Sequence, residues 1–209
     1  MVRFLLADDH TIVRRGLKQI LLEEFPLAFI DEVDNGESLL QKVLNDNWDL
    51  VISDLMMPHK NALEVIYEIK KIKPLLPFLI ISVHSEEQYA IRAIKSGSSG
   101  YLKKDMAPEE LIKAVNHIMA GNRYITASLA NQLSDFISSE QMDDIHLSLS
   151  EREFNVFKHI AAGKSITEIA ELISVTPSTI STYKGRILTK MNLKTNADLT
   201  MYATKKNLL

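Results

Sequence analysis

Val2-Arg3-Phe4-Leu5-Leu6-Ala7-Asp8-Asp9-His10 is the stretch on which the fold turns. A short run dominated by apolar residues is followed at once by two acids. An apolar run of this length, without polar alternation, reads as a buried parallel strand. The same pattern returns at Phe29–Val33, Leu50–Ser53 (followed by Asp54), Phe78–Val83 and Gly100–Leu102. Amphipathic helical stretches separate the runs: Thr11–Glu24, Gly36–Leu44, Ala62–Lys71, Glu86–Lys95 and Pro108–Ala120. Five strand–helix units in succession predict an α/β domain with a doubly wound five-stranded parallel sheet. Such sheets bind ligands at the carboxyl ends of their strands.

The residues expected at those ends share a chemistry. Asp8 and Asp9 end strand one, Asp54 ends strand three, Ser82 ends strand four, and Lys104 follows strand five. Three carboxylates on one edge repel one another unless a cation sits among them. Hard oxygen ligands suit Mg²⁺ or Mn²⁺. Carboxylates, metal, hydroxyl and ammonium together make a phosphoryl-transfer site, with Asp54 as the nucleophile and an acyl phosphate as the product.

The rest of the chain has a different character. Thr126–Ser138 is weakly amphipathic, and Ser138–His146 is polar and aperiodic, which predicts a linker over 122–147. From 148 to 209 the pattern is purely helical: Ser150–Ala161, Ser165–Ile173, Pro177–Met191 and Ala197–Lys205. Ser150 with Glu153 makes a capping box, and Thr176-Pro177 an N-cap with Pro at the first helical position. Ser165–Ile173, then Ser174-Val175-Thr176, then Pro177–Met191 reads as helix, tight turn, helix. The third helix carries Ser178, Thr179, Ser181, Thr182, Tyr183, Lys184, Arg186 and Lys190 on its polar side. Hydroxyls and cations of this kind bond phosphates and base edges of double-stranded DNA, in a helix that fits the major groove. In the last helix, the spacing of Leu199, Tyr202 and Ala203 suits core packing, ahead of a dimer contact of the DNA-binding domain.

Composition agrees with this division. The chain has 209 residues and a net charge of -3. Residues 1–125 carry 15 Lys and Arg against 18 Asp and Glu, whereas residues 176–209 carry six cations against one acid, Asp198. An acidic front and a basic tail point to different partners. With no Cys, a disulfide scaffold, a thiolate metal site and a Cys nucleophile are excluded. No apolar run approaches membrane-spanning length and none precedes the first strand as a signal peptide would, so a cytoplasmic protein is expected.

Two resemblances follow from these residues. Val2–Ala120 resembles the receiver domains of two-component response regulators, through Leu6-Ala7-Asp8-Asp9-His10, Asp54-Leu55-Met56-Met57-Pro58, Ser82 and Gly100-Tyr101-Leu102-Lys103-Lys104-Asp105. The flavodoxin-like receiver fold is thereby implied. So are phosphate transfer to Asp54 from a sensor histidine kinase, and Mg²⁺ held by Asp9, Asp54 and the Met56 backbone carbonyl, with Asp8 acting mainly through water. The resemblance also makes Ser82 and Lys104 phosphoryl ligands and Tyr101 an aromatic switch. It selects Lys104 over Lys103, which strand alternation alone leaves open. Leu149–Leu209 is similar to the helix-turn-helix of the LuxR/NarL/FixJ class, through Leu149-Ser150-Glu151-Arg152-Glu153, Ala162-Gly163-Lys164-Ser165 and Ser178-Thr179-Ile180. Its Thr179–Lys184 segment departs from the commoner family form and resembles more a BvgA/EvgA-like sub-branch. The implied protein is a phosphorylation-switched transcription regulator that pairs as a homodimer on DNA half-sites.

The departures are specific. His59 and Ala62 stand where family members usually have Gly, which alters the loop after Asp54. Met56 and His84 stand at the positions that usually modulate dephosphorylation; an apolar Met56 predicts a long-lived phosphorylated state, and His84 reads as an ordinary exposed loop histidine rather than a catalytic one. A phosphatase with an aspartyl-phosphate intermediate is the competing enzyme reading. It needs a second Asp two residues after the nucleophile, and that position is Met56.

Overall fold

The computed structural model describes residues 1–58, 60–84, 86–131 and 145–209; the side chains of 86–88 and 151 lie outside the description. Contacts divide the chain into two compact units, Met1–Phe136 and Ile137–Leu209.

The first unit alternates β1 (Arg3–Ala7), α1 (Thr11–Glu24), β2 (Phe29–Val33), α2 (Gly36–Asn45), β3 (Leu50–Asp54), α3 (Ala62–Lys70), β4 (Phe78–Ser82), α4 (Glu86–Ser96), β5 (Gly100–Lys103) and α5 (Pro108–Met119). All five strands pair in parallel, in the order β2-β1-β3-β4-β5. The expected doubly wound sheet is present, each boundary within a residue or two of its expected place. β3 and β4 are buried along their whole length, which is why they carry no polar alternation. Phe4, Leu50, Ile52, Leu79, Val115 and Ile118 share one face of the core. Each large apolar side chain buried there contributes about 1.5–3 kcal/mol relative to exposure.

Helix starts follow the capping rules. Asn35 and Asn61 accept from the N–H groups of Ser38 and Glu64, at 2.8 and 3.0 Å. At Gly36 the chain passes so close to the loop after β3 that an added Cβ would lie 1.8 Å from the Lys60 carbonyl oxygen.

The predicted linker is more ordered at both ends than its composition suggests. Tyr124 bridges to Gly100 as a parallel extension beside β5, and Leu129 is buried. Residues 127–131 are helical and Thr126 precedes them, its hydroxyl accepting from the Leu129 N–H; 132–138 of the expected helix and 138–144 of the expected linker lie outside the described residues. Ile145–Ser148 forms a 3₁₀ turn that places His146 in the second unit's core, against Phe154 and Tyr202. Its Nδ1 lies 2.8 Å from the Tyr202 hydroxyl. Ring stacking and this hydrogen bond hold His146 in the helical unit.

The second unit holds α6 (Glu151–Ala161), α7 (Ile166–Leu172), α8 (Pro177–Met191) and α9 (Asn196–Lys205). Ser150–Glu153, Ser165–Glu168 and Thr195–Asp198 each make a reciprocal capping box. Ser174, at φ +53°, closes the tight turn between α7 and α8. Phe154, Phe157, Ile169, Ile180, Ile187, Met191, Leu199 and Ala203 are buried, so α9 packs by its apolar face as expected.

Candidate functional site

The parallel register brings four strand ends to one edge. Ala7 pairs with Ser53, Asp54 with Ile81, and Ser82 with Lys103. The residues just past these pairs are therefore neighbours. Asp8 and Asp54 are buried, and the Lys104 side chain is only 12% exposed. Lys104 Nζ lies 2.6 Å from Asp8 Oδ2 and 3.0 Å from Asp54 Oδ2. Lys103 points outward, so the two adjacent lysines divide as the family motif implies. Asp9 is more exposed, with Oδ1 2.7 Å from His10 Nδ1.

Electrostatics in this cluster are unbalanced. Burial pushes the Asp54 carboxyl above its usual range, the Asp8 charge adds to that, and Lys104 only partly offsets both. For Lys104, burial disfavours the charge, but the hydrogen bonds and charges of Asp8 and Asp54 prevail and raise its pKa. Three carboxylates face one ammonium. Ligand atoms of Asp8, Asp9, His10 and Asp54 all lie within 4.8 Å of one another. An oxygen-rich, net-negative set of this kind fits a hard divalent cation.

Ser82 and Tyr101 belong to a connected hydrogen-bond path. The His84 N–H donates to Ser82 Oγ at 3.2 Å. The fully buried Tyr101 hydroxyl donates to the His84 carbonyl at 2.9 Å. Tyr101 thus occupies the inward position. His84 takes part through its main chain, which no side-chain pattern signals. His10 and Arg14 were also not legible as site residues. The His10 N–H donates to Asp8 Oδ1 at 2.8 Å, and Arg14 Nη1 donates to the Asp8 carbonyl.

In the second unit, α8 buries Ile180, Ile187 and Met191 and turns the opposite side to solvent. The Thr176 hydroxyl accepts from the Thr179 N–H and lies within 3 Å of both the Ser178 and Thr179 hydroxyls. Ser181 and Thr182 donate their hydroxyls to the carbonyls of Pro177 and Ser178. Tyr183, Lys184 and Arg186 make no hydrogen bond or ion pair among the described residues. Lys190, expected among the DNA contacts, also has a partner within the domain: its Nζ lies 2.6 Å from Glu153 Oε2, a carboxylate 4% exposed. Burial opposes the Glu153 charge, but Lys190 and the Ser150 N–H hold its pKa below the usual value. A buried carboxylate requires a counter-charge, and Lys190 supplies it from one end of α8.

Comparison with known proteins agrees with both halves. Residues 4–116 match the response regulator receiver domain, and residues 147–203 match the bacterial regulatory proteins of the luxR family. The chain belongs to the response regulators, with a LuxR-type helix-turn-helix. The regulator is 30% identical over 209 residues to the response regulator UvrY of Escherichia coli, covering 100% of this chain and 96% of that protein. It is 33% identical over 216 residues to the oxygen regulatory protein NreC of Staphylococcus epidermidis, covering 100% and 99%. Among solved structures, a LuxR-family two-component response regulator from Aurantimonas is 29% identical with a TM-score of 0.59, over 65% of this chain and 96% of that one. RcsB of Salmonella typhimurium is 24% identical with a TM-score of 0.60, over 98% and 100%, and supports the fold. The regulator is therefore a two-component transcription regulator with a receiver and a DNA-binding domain. Among the described residues no helix is long and apolar enough to cross a membrane.

Proposed function

We propose that Asp54 is the phosphoacceptor and that its phosphorylation by a sensor histidine kinase switches dimerisation and DNA binding. The observation that carries this reading is the Lys104 ammonium lodged between Asp8 and Asp54, at 2.6 and 3.0 Å. Asp54 Oδ attacks the phosphorus of a phosphohistidine; the P–N bond breaks, an O–P bond forms, and the freed imidazole takes up a proton. Lys104 stands where it neutralises the phosphoryl oxygens, and Ser82 supplies a hydroxyl donor. Mg²⁺ (or Mn²⁺), when bound, supplies charge neutralisation for the incoming phosphoryl group. Asp9, Asp54 and the Met56 carbonyl would hold it, with Asp8 alongside through water. The Tyr101–His84–Ser82 path links that site to the β5 surface, the element through which a pairing face would change.

In the second domain α8 is the groove-facing helix, contacting DNA through Ser178, Thr179, Ser181, Thr182, Tyr183, Lys184 and Arg186. Paired half-sites about 10 bp apart are the expected target geometry, and the cytoplasm the expected compartment.

Incubation of the full chain with Mg²⁺ and acetyl phosphate, followed by intact-mass measurement, tests the receiver half. A stable adduct of about 80 Da, one phosphoryl group, that is absent in Asp54→Ala supports it. Turnover of acetyl phosphate without an adduct would instead favour the phosphatase reading.

A further inference from the structure

We infer that Gly185 sets how closely α8 approaches the floor of the major groove. We also infer that the centre of the half-site is read there through thymine methyls and base amino groups rather than through guanine. This inference rests on the reading of α8 as the groove-facing helix.

Gly185 breaks a local rule. Glycine inside a helix is disfavoured relative to alanine. Nothing packs against the position: an added Cβ would meet no atom within 4 Å. Its φ is not in the positive range that would demand glycine. Gly16 in α1 is equally open, so openness alone does not distinguish the position. Its place on α8 does. With Ile180, Ile187 and Met191 buried, the helical period sets Ser178, Thr182, Gly185 and Thr189 along the opposite crest, all exposed. Gly185 is at the middle of that crest. Arg186 follows it on the exposed side, whereas Lys184 precedes it, half-buried and nearer the core-facing side. A helix with its side chains nearly fills the major groove. A side chain at the crest centre sets the closest approach, and glycine removes it.

The same crest limits what can be read. It carries no ionised group, whereas guanine is most often read by bidentate Arg or Lys. Both threonine hydroxyl protons on it are already committed, Thr182 to Ser178 O and Thr189 to the carbonyl of Gly185 itself, and the Ser178 hydroxyl pairs with that of Thr176. Lone pairs and threonine methyls remain to be offered outward. Lone pairs match the amino groups of adenine and cytosine, and methyls match the thymine C5-methyl. Back-bonded hydroxyls and an interior glycine both cost helix stability. Local costs gathered on one exposed face mark a functional surface.

The test uses full-length protein treated with acetyl phosphate and Mg²⁺. Its probes are the duplex that the wild-type chain enriches from a randomised pool and a random-sequence duplex of equal length. Gly185→Ala is expected to slow amide exchange in α8, yet weaken binding to the enriched duplex by about tenfold or more, with a much smaller loss on random duplex. Replacing the central thymines by uracil is expected to weaken wild-type binding as well. Unchanged or tighter binding by Gly185→Ala, or an enriched half-site centred on guanine, would overturn the inference. Lys184→Ala and Arg186→Ala separate the two levels. If they weaken binding and Gly185→Ala does not, only this inference fails. If none of the three changes binding, the assignment of α8 fails with it.

Discussion

Replacing Lys190 by Met separates its scaffolding role from a DNA contact. Methionine has a helix propensity close to that of lysine, so the change removes charge and little else. It leaves Glu153, 4% exposed, without its 2.6 Å partner and with only the Ser150 N-cap contacts. A hydrogen bond between charged groups is worth about 1.5–3 kcal/mol, and stranding a buried charge costs about 3–5 kcal/mol. Lys190 is 41% exposed, so water screens its end of the pair. An expected loss of about 1–2 kcal/mol follows. Amide exchange by mass spectrometry resolves α8 peptides from those of the receiver, and should show exchange faster by roughly 5–30-fold. Glu153→Gln keeps the capping box and removes the charge, so the pair is coupled: the double variant should lose less than the sum. The pH dependence has a definite sign. Because the folded Glu153 pKa is held below its usual 4.5, the pair's contribution is present above that value. It is lost as pH falls through the lower folded value, so wild type and Lys190→Met should converge in acid. The salt slope of DNA binding should not change in Lys190→Met, whereas Lys184→Ala and Arg186→Ala should each reduce it by about one unit. A slope reduced in Lys190→Met with unchanged exchange would refute this account.

Three further outcomes concern the receiver. In metal-free protein the raised Asp54 pKa makes its ionised form a net cost to the fold, so stability should rise as pH drops toward that pKa; Asp54→Asn should remove this trend and raise Tm at neutral pH. A Tm lowered by Asp54→Asn at neutral pH without metal would contradict the charge imbalance described for the cluster. Gly36→Ala would set a Cβ 1.8 Å from the Lys60 carbonyl, so the loop from Leu55 to Asn61 must shift; weaker Mg²⁺ binding is expected in a chain whose far-ultraviolet circular dichroism is unchanged, and equal Mg²⁺ titrations of both proteins would argue against it. With apolar Met56 beside the acyl phosphate, the adduct on Asp54 should persist for minutes to hours after removal of the donor, and decay within seconds would exclude this role for Met56.

Much of the fold was readable because its signals are local. Runs such as Leu50–Asp54 are buried on both faces and carry no alternation, and the N-caps at Ser150 and Thr176 are set by residues three apart. The acids and the serine at the strand ends were legible for the same reason, once the sheet was parallel. What escaped depends on contacts distant in sequence. Lys190 meets Glu153 across 37 positions. Tyr124 extends the sheet beside Gly100, where a Cβ would crowd the Tyr124 carbonyl oxygen at 3.1 Å. Polarity along 138–146 also concealed His146, whose ring is apolar on its faces and needs one hydroxyl partner to be buried.

The link between Ser82 and Tyr101 runs through the main chain of one residue, whose N–H serves the serine and whose carbonyl serves the tyrosine. A connection made of backbone is indifferent to side-chain identity. Position 84 can drift among residues of any size or charge while the wire stays intact, and only proline, which lacks the N–H, cuts its serine half outright. Variation at position 84 would therefore tune the surroundings of the site while leaving the transmission itself out of reach of ordinary substitution.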